Sequence, residues 1–131
     1  MSDGHPRILI VDDDVGHRQS LRRILENEGF ECREAENGER AIEILEVHSH
    51  DLVVTDLEMP VLDGLQLVEW MYQGVKTLKV PTIVVTGNLH KESQSRVLEA
   101  GAAEVFTKPY KFEQLLMAIR SYLPNISHMN S

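Results

Sequence analysis

Two rhythms of apolar and polar positions alternate along this chain. The run Ile8-Leu9-Ile10-Val11 within residues 7–12 is continuously apolar, the pattern of a strand buried on both faces. Leu21, Ile24, Leu25 and Glu28 then recur at helical spacing, and Gly29 closes that segment. Residues 30–35 alternate more and carry charge, which fits an edge strand. Asn37-Gly38 marks a turn or cap, and Ala41, Ile42 and Leu45 follow as an apolar stripe. Residues 51–56 form a third strand. Residues 59–64 form a loop punctuated by Pro60 and Gly64. Leu65, Leu67, Val68 and Met71 give a third helix, with Trp70 and Met71 read as core or rim packing. Residues 80–86 read as a fourth strand that tolerates Pro81 near its start. Residues 90–100 read as a helix ended by Gly101, and residues 103–107 as a fifth strand. Phe112, Leu115, Leu116, Ile119 and Leu123 line the last helix, which Pro124 follows.

Strand and helix therefore alternate five times. That order predicts an α/β fold with a parallel sheet, right-handed crossovers and helices on both faces. The expected organisation is a disordered N-terminal tail over residues 1–6, one domain over 7–123 and a loose C-terminal tail over 124–131. In open parallel sheets the working site lies beyond the carboxyl ends of the strands, at the switch in strand order. The chemistry of this chain falls at that edge.

The first strand ends in Asp12-Asp13-Asp14, the third in Asp56, the fourth in Thr86, and the fifth in Lys108-Pro109. Adjacent acids repel and lose hydration when partly buried, so packing does not explain them. A cation among Asp12, Asp13 and Asp56 does. Mg2+ suits hard oxygen ligands and keeps several waters. Ca2+ stays open, although no EF-hand spacing is present, and Zn2+ is disfavoured because neither His nor Cys accompanies the cluster. Asp14 reads better as a helix cap than as a ligand. A carboxylate at Asp56 is placed to attack a phosphoryl group and form an acyl phosphate. The Lys108 ammonium would neutralise the phosphoryl oxygens, and the Thr86 hydroxyl would donate to one of them. Pro109 after Lys108 is a candidate for a cis bond.

Composition narrows the class. At 131 residues the chain fits one domain with a real core. Thirteen Lys+Arg against 21 Asp+Glu give a net charge of −8, which opposes non-specific nucleic-acid binding. The single Cys32 excludes an internal disulfide and fits a reducing compartment. No apolar run is long enough for a membrane span, and the first residues are too polar for a signal peptide, so a cytoplasmic location is expected. His5, His17, His48, His50, His90 and His128 show no metal spacing with Cys, and His48 and His50 are expected to be solvated.

These residues carry a resemblance. The segments Ile8-Leu9-Ile10-Val11-Asp12-Asp13, Val53-Val54-Thr55-Asp56-Leu57-Glu58-Met59-Pro60, Asp63-Gly64, Val84-Val85-Thr86-Gly87 and Thr107-Lys108-Pro109-Tyr110 resemble a response-regulator receiver domain of the CheY-like type. The resemblance covers roughly residues 7 to 123 and rests on the order and spacing of short motifs. It implies a doubly wound (βα)5 three-layer sandwich, flavodoxin-like, with five parallel strands in the order 2-1-3-4-5. It implies two-component signalling, with a histidine kinase or phosphotransfer protein passing a phosphoryl group to Asp56. Asp13, Asp56 and the main-chain carbonyl of Glu58 would hold Mg2+, with Asp12 acting nearby, through water. Thr86 and Lys108 would touch the phosphoryl group, and the Lys108–Pro109 bond would be cis.

Glu58 and Asn88 stand where the family modulates hydrolysis. Glu58 is placed to pair with Lys108 or to steer the attacking water, and Gly87 leaves one side of the site open. The chain departs from the family at Val105, where the switch uses an aromatic residue. Phe106 is adjacent, but neighbouring strand residues face opposite sides of the sheet. Tyr110 reads as packing.

The expected function is a stand-alone phospho-acceptor switch, because no residues remain for an output domain. It is not an enzyme beyond its own Mg2+-dependent phosphorylation and dephosphorylation. Output would run through an unidentified downstream protein target, from a monomer or a phosphorylation-dependent dimer. Added phosphoryl charge would draw Thr86 inward and bias a face between two arrangements. The alternative is a constitutive, non-switching receiver-like binding module, which Val105 favours. A Mg2+-dependent phosphatase is weaker, because an Asp-x-Asp pair is missing at Glu58. A flavodoxin-like cofactor binder is weaker still, since the acidic first loop repels a flavin phosphate.

Overall fold

The computed structural model describes residues 4–74 and 78–123. Five strands and five helices alternate: β1 (Arg7–Val11), α1 (Val15–Asn27), β2 (Glu31–Ala35), α2 (Gly38–Val47), β3 (Leu52–Asp56), α3 (Gly64–Gln73), β4 (Thr82–Thr86), α4 (Lys91–Ala100), β5 (Glu104–Thr107) and α5 (Phe112–Ser121). All pairings are parallel and the strand order is β2-β1-β3-β4-β5. This is the doubly wound arrangement that strand–helix alternation demands.

Both sheet faces are covered, which is why the central strands are continuously apolar. Ile8, Ile10, Val54, Ile83 and Val85 point to one face, where Leu21 and Leu25 of α1 and Leu115 and Ile119 of α5 pack on them. Leu9, Val11 and Val53 point to the other, against Ala41 and Ile44 of α2 and Leu67 and Met71 of α3. Val84 lies with Val68 and, from α4, Val97 and Ala100. β2 is an edge strand, and its polar residues Arg33 and Glu34 are only partly buried.

Caps follow the residue types. Asp14 accepts from the His17 amide and Asn37 from the Arg40 amide, while Asp63 and Gln66 form a reciprocal capping box. Gly64 has a stricter reason to be glycine. A Cβ there would lie 2.3 Å from the Asp56 carbonyl oxygen and 2.8 Å from Leu57 Cα. The start of α3 is thus pressed against the strand end that carries Asp56, and the Gly64 amide donates to the Leu57 carbonyl at 2.7 Å.

Some expectations shift. The strand expected over 80–86 begins at Thr82, and Pro81 contributes only its carbonyl, which accepts from the Val53 amide at 3.0 Å. His50 is not solvated. It is 7% exposed at the entry to β3, and its Nε2 is buried without a hydrogen-bond partner. Burial lowers its pKa, and the Arg33 and Arg7 charges reinforce that. Within the expected N-terminal tail, residues 4–6 touch the fold: His5 Nδ1 lies 2.9 Å from the Gly29 carbonyl, and the Glu31 amide donates to Pro6. Residues 1–3 and the expected C-terminal tail, 124–131, lie outside the described residues. Among the described residues no helix is long and apolar enough to cross a membrane.

Candidate functional site

Parallel register brings the strand ends together. Val11 pairs with Thr55, Asp56 with Val85, and Thr86 with Thr107, so Asp12, Asp13, Asp56, Thr86 and Lys108 converge at one edge. That edge lies where β1 is flanked by β2 and β3 and the strand order reverses, the ligand crevice of open α/β sheets.

Asp12 is 2% exposed. Its backbone is fixed on both sides: the amide donates to the Ala35 carbonyl at 3.0 Å, and the carbonyl accepts from Arg18 Nη1 at 2.7 Å. Arg18 is itself held by Glu34 at 2.7 Å. Asp12 Oδ1 accepts from the Asp14 amide at 2.9 Å, and Oδ2 faces His17 Nδ1 in a short contact. Burial works to raise the Asp12 pKa, but the bonds from His17 and Asp14 and the Lys108 charge outweigh it and hold the carboxyl below its usual range. Asp13 is exposed and Asp14 caps α1.

Asp56 ends β3. Its Oδ1 accepts from the Leu57 amide at 2.8 Å and its Oδ2 from Lys108 Nζ at 3.0 Å. Lys108 Nζ also lies 3.8 Å from Asp12 Oδ2. Burial and the Asp12 charge push the Asp56 carboxyl above its usual range, although Lys108 opposes them. Burial pulls the Lys108 ammonium down, and Asp56 with Asp12 outweighs burial and raises it. One ammonium does not balance these acids. Asp12, Asp13 and Asp56 each offer a carboxylate oxygen, all within 4.8 Å of one another. An oxygen-only set of three acids fits Mg2+, a hard cation that retains waters.

Thr86 is fully buried, and its Oγ1 accepts from the Asn88 amide at 2.9 Å. Gly87 is exposed, and a Cβ there would meet nothing within 4 Å. The Lys108–Pro109 peptide is cis. Glu58 does not take Lys108, which faces Asp56 and Asp12. Its Oε2 instead accepts from Asn88 Nδ2 at 3.3 Å, so the two residues meet each other across the site. Val105 packs with the Val84 cluster, and Phe106 packs on the opposite face with Tyr110 at a centroid distance of 6.3 Å. The aromatic position on the Val105 face is therefore not filled by Phe106.

Three residues in the site escaped the sequence reading: His17, Arg18 and the Tyr110 hydroxyl. His17 Nε2 is 2.9 Å from that hydroxyl. The only sequence signal was a His and an Arg one turn into a helix that begins just after the acids.

Comparison with known proteins agrees with this geometry. The family model for the response regulator receiver domain matches residues 8–120. The chain is 32% identical over 118 residues to sporulation initiation phosphotransferase F of Bacillus subtilis (strain 168), covering 90% of this chain and 94% of that protein. It spans about half the length of several other curated relatives it matches. Among solved structures, the CheY-like response regulator receiver domain protein of Methanospirillum hungatei JF-1 superposes with a TM-score of 0.86 at 30% identity, covering 96% of this chain and 99% of that one. Response regulator protein TrrA of Thermotoga maritima, solved in complex with Mg(2+)-BeF, superposes with a TM-score of 0.79 at 32% identity, covering 89% and 98%.

Proposed function

The chain belongs to the response-regulator receiver family, whose members are phosphorylated on an aspartate by a partner kinase, and on that premise we propose that Asp56 is the acceptor. The observation that carries this reading is the Asp56–Lys108 contact of 3.0 Å beside three carboxylate oxygens grouped within 4.8 Å. Asp13, Asp56 and the Glu58 main-chain carbonyl would hold Mg2+, with Asp12 as the outer acid. Bound there, Mg2+ supplies charge neutralisation for the phosphoryl oxygens.

The donor is a phosphohistidine on a histidine kinase or phosphotransfer protein. An Asp56 carboxylate oxygen forms the new P–O bond as the donor's P–N bond breaks, and the imidazole leaves with the electron pair and takes up a proton. Lys108 moves its ammonium from carboxylate to phosphoryl oxygen. Thr86 is one residue beyond the register partner of Asp56 and carries a hydroxyl for another oxygen. Glu58 and Asn88, bonded to each other over the site, would set access for the hydrolytic water. The relative with the Mg(2+)-BeF complex supports this assignment by likeness.

The output is a phosphorylation-dependent contact with a protein target. A second reading, a receiver that binds its target regardless of phosphorylation, is favoured by Val105, which leaves the Thr86 side of β5 without an aromatic ring. Affinity capture of targets with untreated and beryllofluoride-treated protein separates the two. Targets gained or lost on treatment support the switch, and an identical set at equal affinity supports the constitutive module.

A further inference from the structure

His17 stands on the first turn of α1 with one ring nitrogen on the acidic site and the other on the loop after β5. Its Nδ1 meets Asp12 Oδ2, and its Nε2 is 2.9 Å from the Tyr110 hydroxyl. The two rings meet edge to face, with centroids 6.0 Å apart and planes at 86°. An ionised carboxylate only accepts, so Nδ1 carries the hydrogen and donates to Asp12, while Nε2 shares a hydrogen bond with the Tyr110 hydroxyl. Burial and the Asp12 charge push the Tyr110 phenol up to about 12. Tyr110 is anchored in turn against Phe106. Asp12 is thereby occupied on both oxygens, by the Asp14 amide and by His17. It cannot rotate toward a cation without breaking one of these bonds.

We propose that His17 is a positioning residue of the phosphoryl-transfer site: through the chain Tyr110–His17–Asp12 it fixes the outer acid and ties it to the loop that carries Lys108. This inference rests on the Mg2+ reading of the site. Groups hydrogen-bonded to a metal's carboxylates orient them, and their loss costs about 10- to 100-fold in metal affinity. The same chain connects the acids to the groove between α1 and the loop after β5, lined by His17, Leu21, Ile24, Pro109, Tyr110 and Phe112.

Calorimetric Mg2+ titration of the full chain tests it, with His17→Ala, His17→Asn and Asp13→Asn beside the wild type. His17→Ala is expected to weaken Mg2+ binding about tenfold. His17→Asn is expected to restore it, because its amide N–H stands where Nδ1–H stood. Equal affinity of His17→Ala and wild type overturns the proposal, as does an Asn variant as weak as the Ala one. A wild type that binds no Mg2+ instead overturns the site reading itself, whereas binding lost in Asp13→Asn upholds it. Nitrogen NMR of the unmutated protein gives a readout free of folding effects: protonation at Nδ1 is expected, and a ring protonated only at Nε2 overturns the assignment.

Discussion

Lys108 Nζ donates to Asp56 Oδ2 at 3.0 Å across 52 residues of chain. The pair is uneven: Asp56 is raised by burial and by Asp12 even with the ammonium present. Replacing Lys108 with Met therefore raises the Asp56 carboxyl further in metal-free buffer. A folded carboxyl titrating above its unfolded value binds protons that the unfolded chain has released, so the variant loses stability as pH rises through the carboxylate range. The loss at neutral pH is expected to be about 1–3 kcal/mol, below the range for a fully buried pair because Lys108 is part exposed. Carboxyl NMR titration and urea unfolding at two pH values check it. An unmoved Asp56 titration would contradict it.

Val61, in the loop between β3 and α3, has φ of 73° and is 72% exposed. A β-branched residue pays steric strain in this region, on the order of 1–3 kcal/mol, and its exposed side chain returns little by packing. Val61→Gly relieves that strain against a Gly entropy cost of about 0.4–1 kcal/mol. The expected net gain is roughly 0.5–1 kcal/mol, read as a higher urea midpoint. A lower midpoint would place the loop conformation in doubt.

His50 predicts an acid-sensitive loss of stability. Burial depresses its folded pKa, with Arg33 and Arg7 adding to the effect, and Nε2 has no hydrogen-bond partner. The neutral ring favours folding above the ordinary imidazole value of about 6.5, and that contribution is lost as pH falls through the folded value. Stability is therefore expected to fall between pH 7 and 5. In His50→Phe this slope disappears. Chemical unfolding at pH 7, 6 and 5 for both proteins decides it, and parallel slopes would remove His50 as the cause.

The fold was legible because its signals are local or repetitive. Continuous apolar runs required two covered faces, and strand–helix alternation then left few topologies. Asp56, Thr86 and Lys108 were legible as a group because each ends its own strand and parallel register aligns strand ends. The His17–Tyr110 bond joins positions 93 apart, and no spacing rule reaches that far. Glu58 chose Asn88 over Lys108 because buried Asp12 and part-buried Asp56 already claim the ammonium, a competition visible only once burial is known. His50 reads as solvated from its polar neighbours, and its burial depends on the turn into β3. The facing of Val105 was legible: strand alternation alone put it and Phe106 on opposite faces.

The claim on which the rest depends is that Asp56 takes the phosphoryl group. Intact-mass spectrometry after incubation with a small-molecule phosphodonor and Mg2+ tests it most directly. One phosphoryl adduct is expected on the wild type, mapped to Asp56, absent from Asp56→Asn and absent when Mg2+ is chelated. An adduct of equal yield on Asp56→Asn would contradict it.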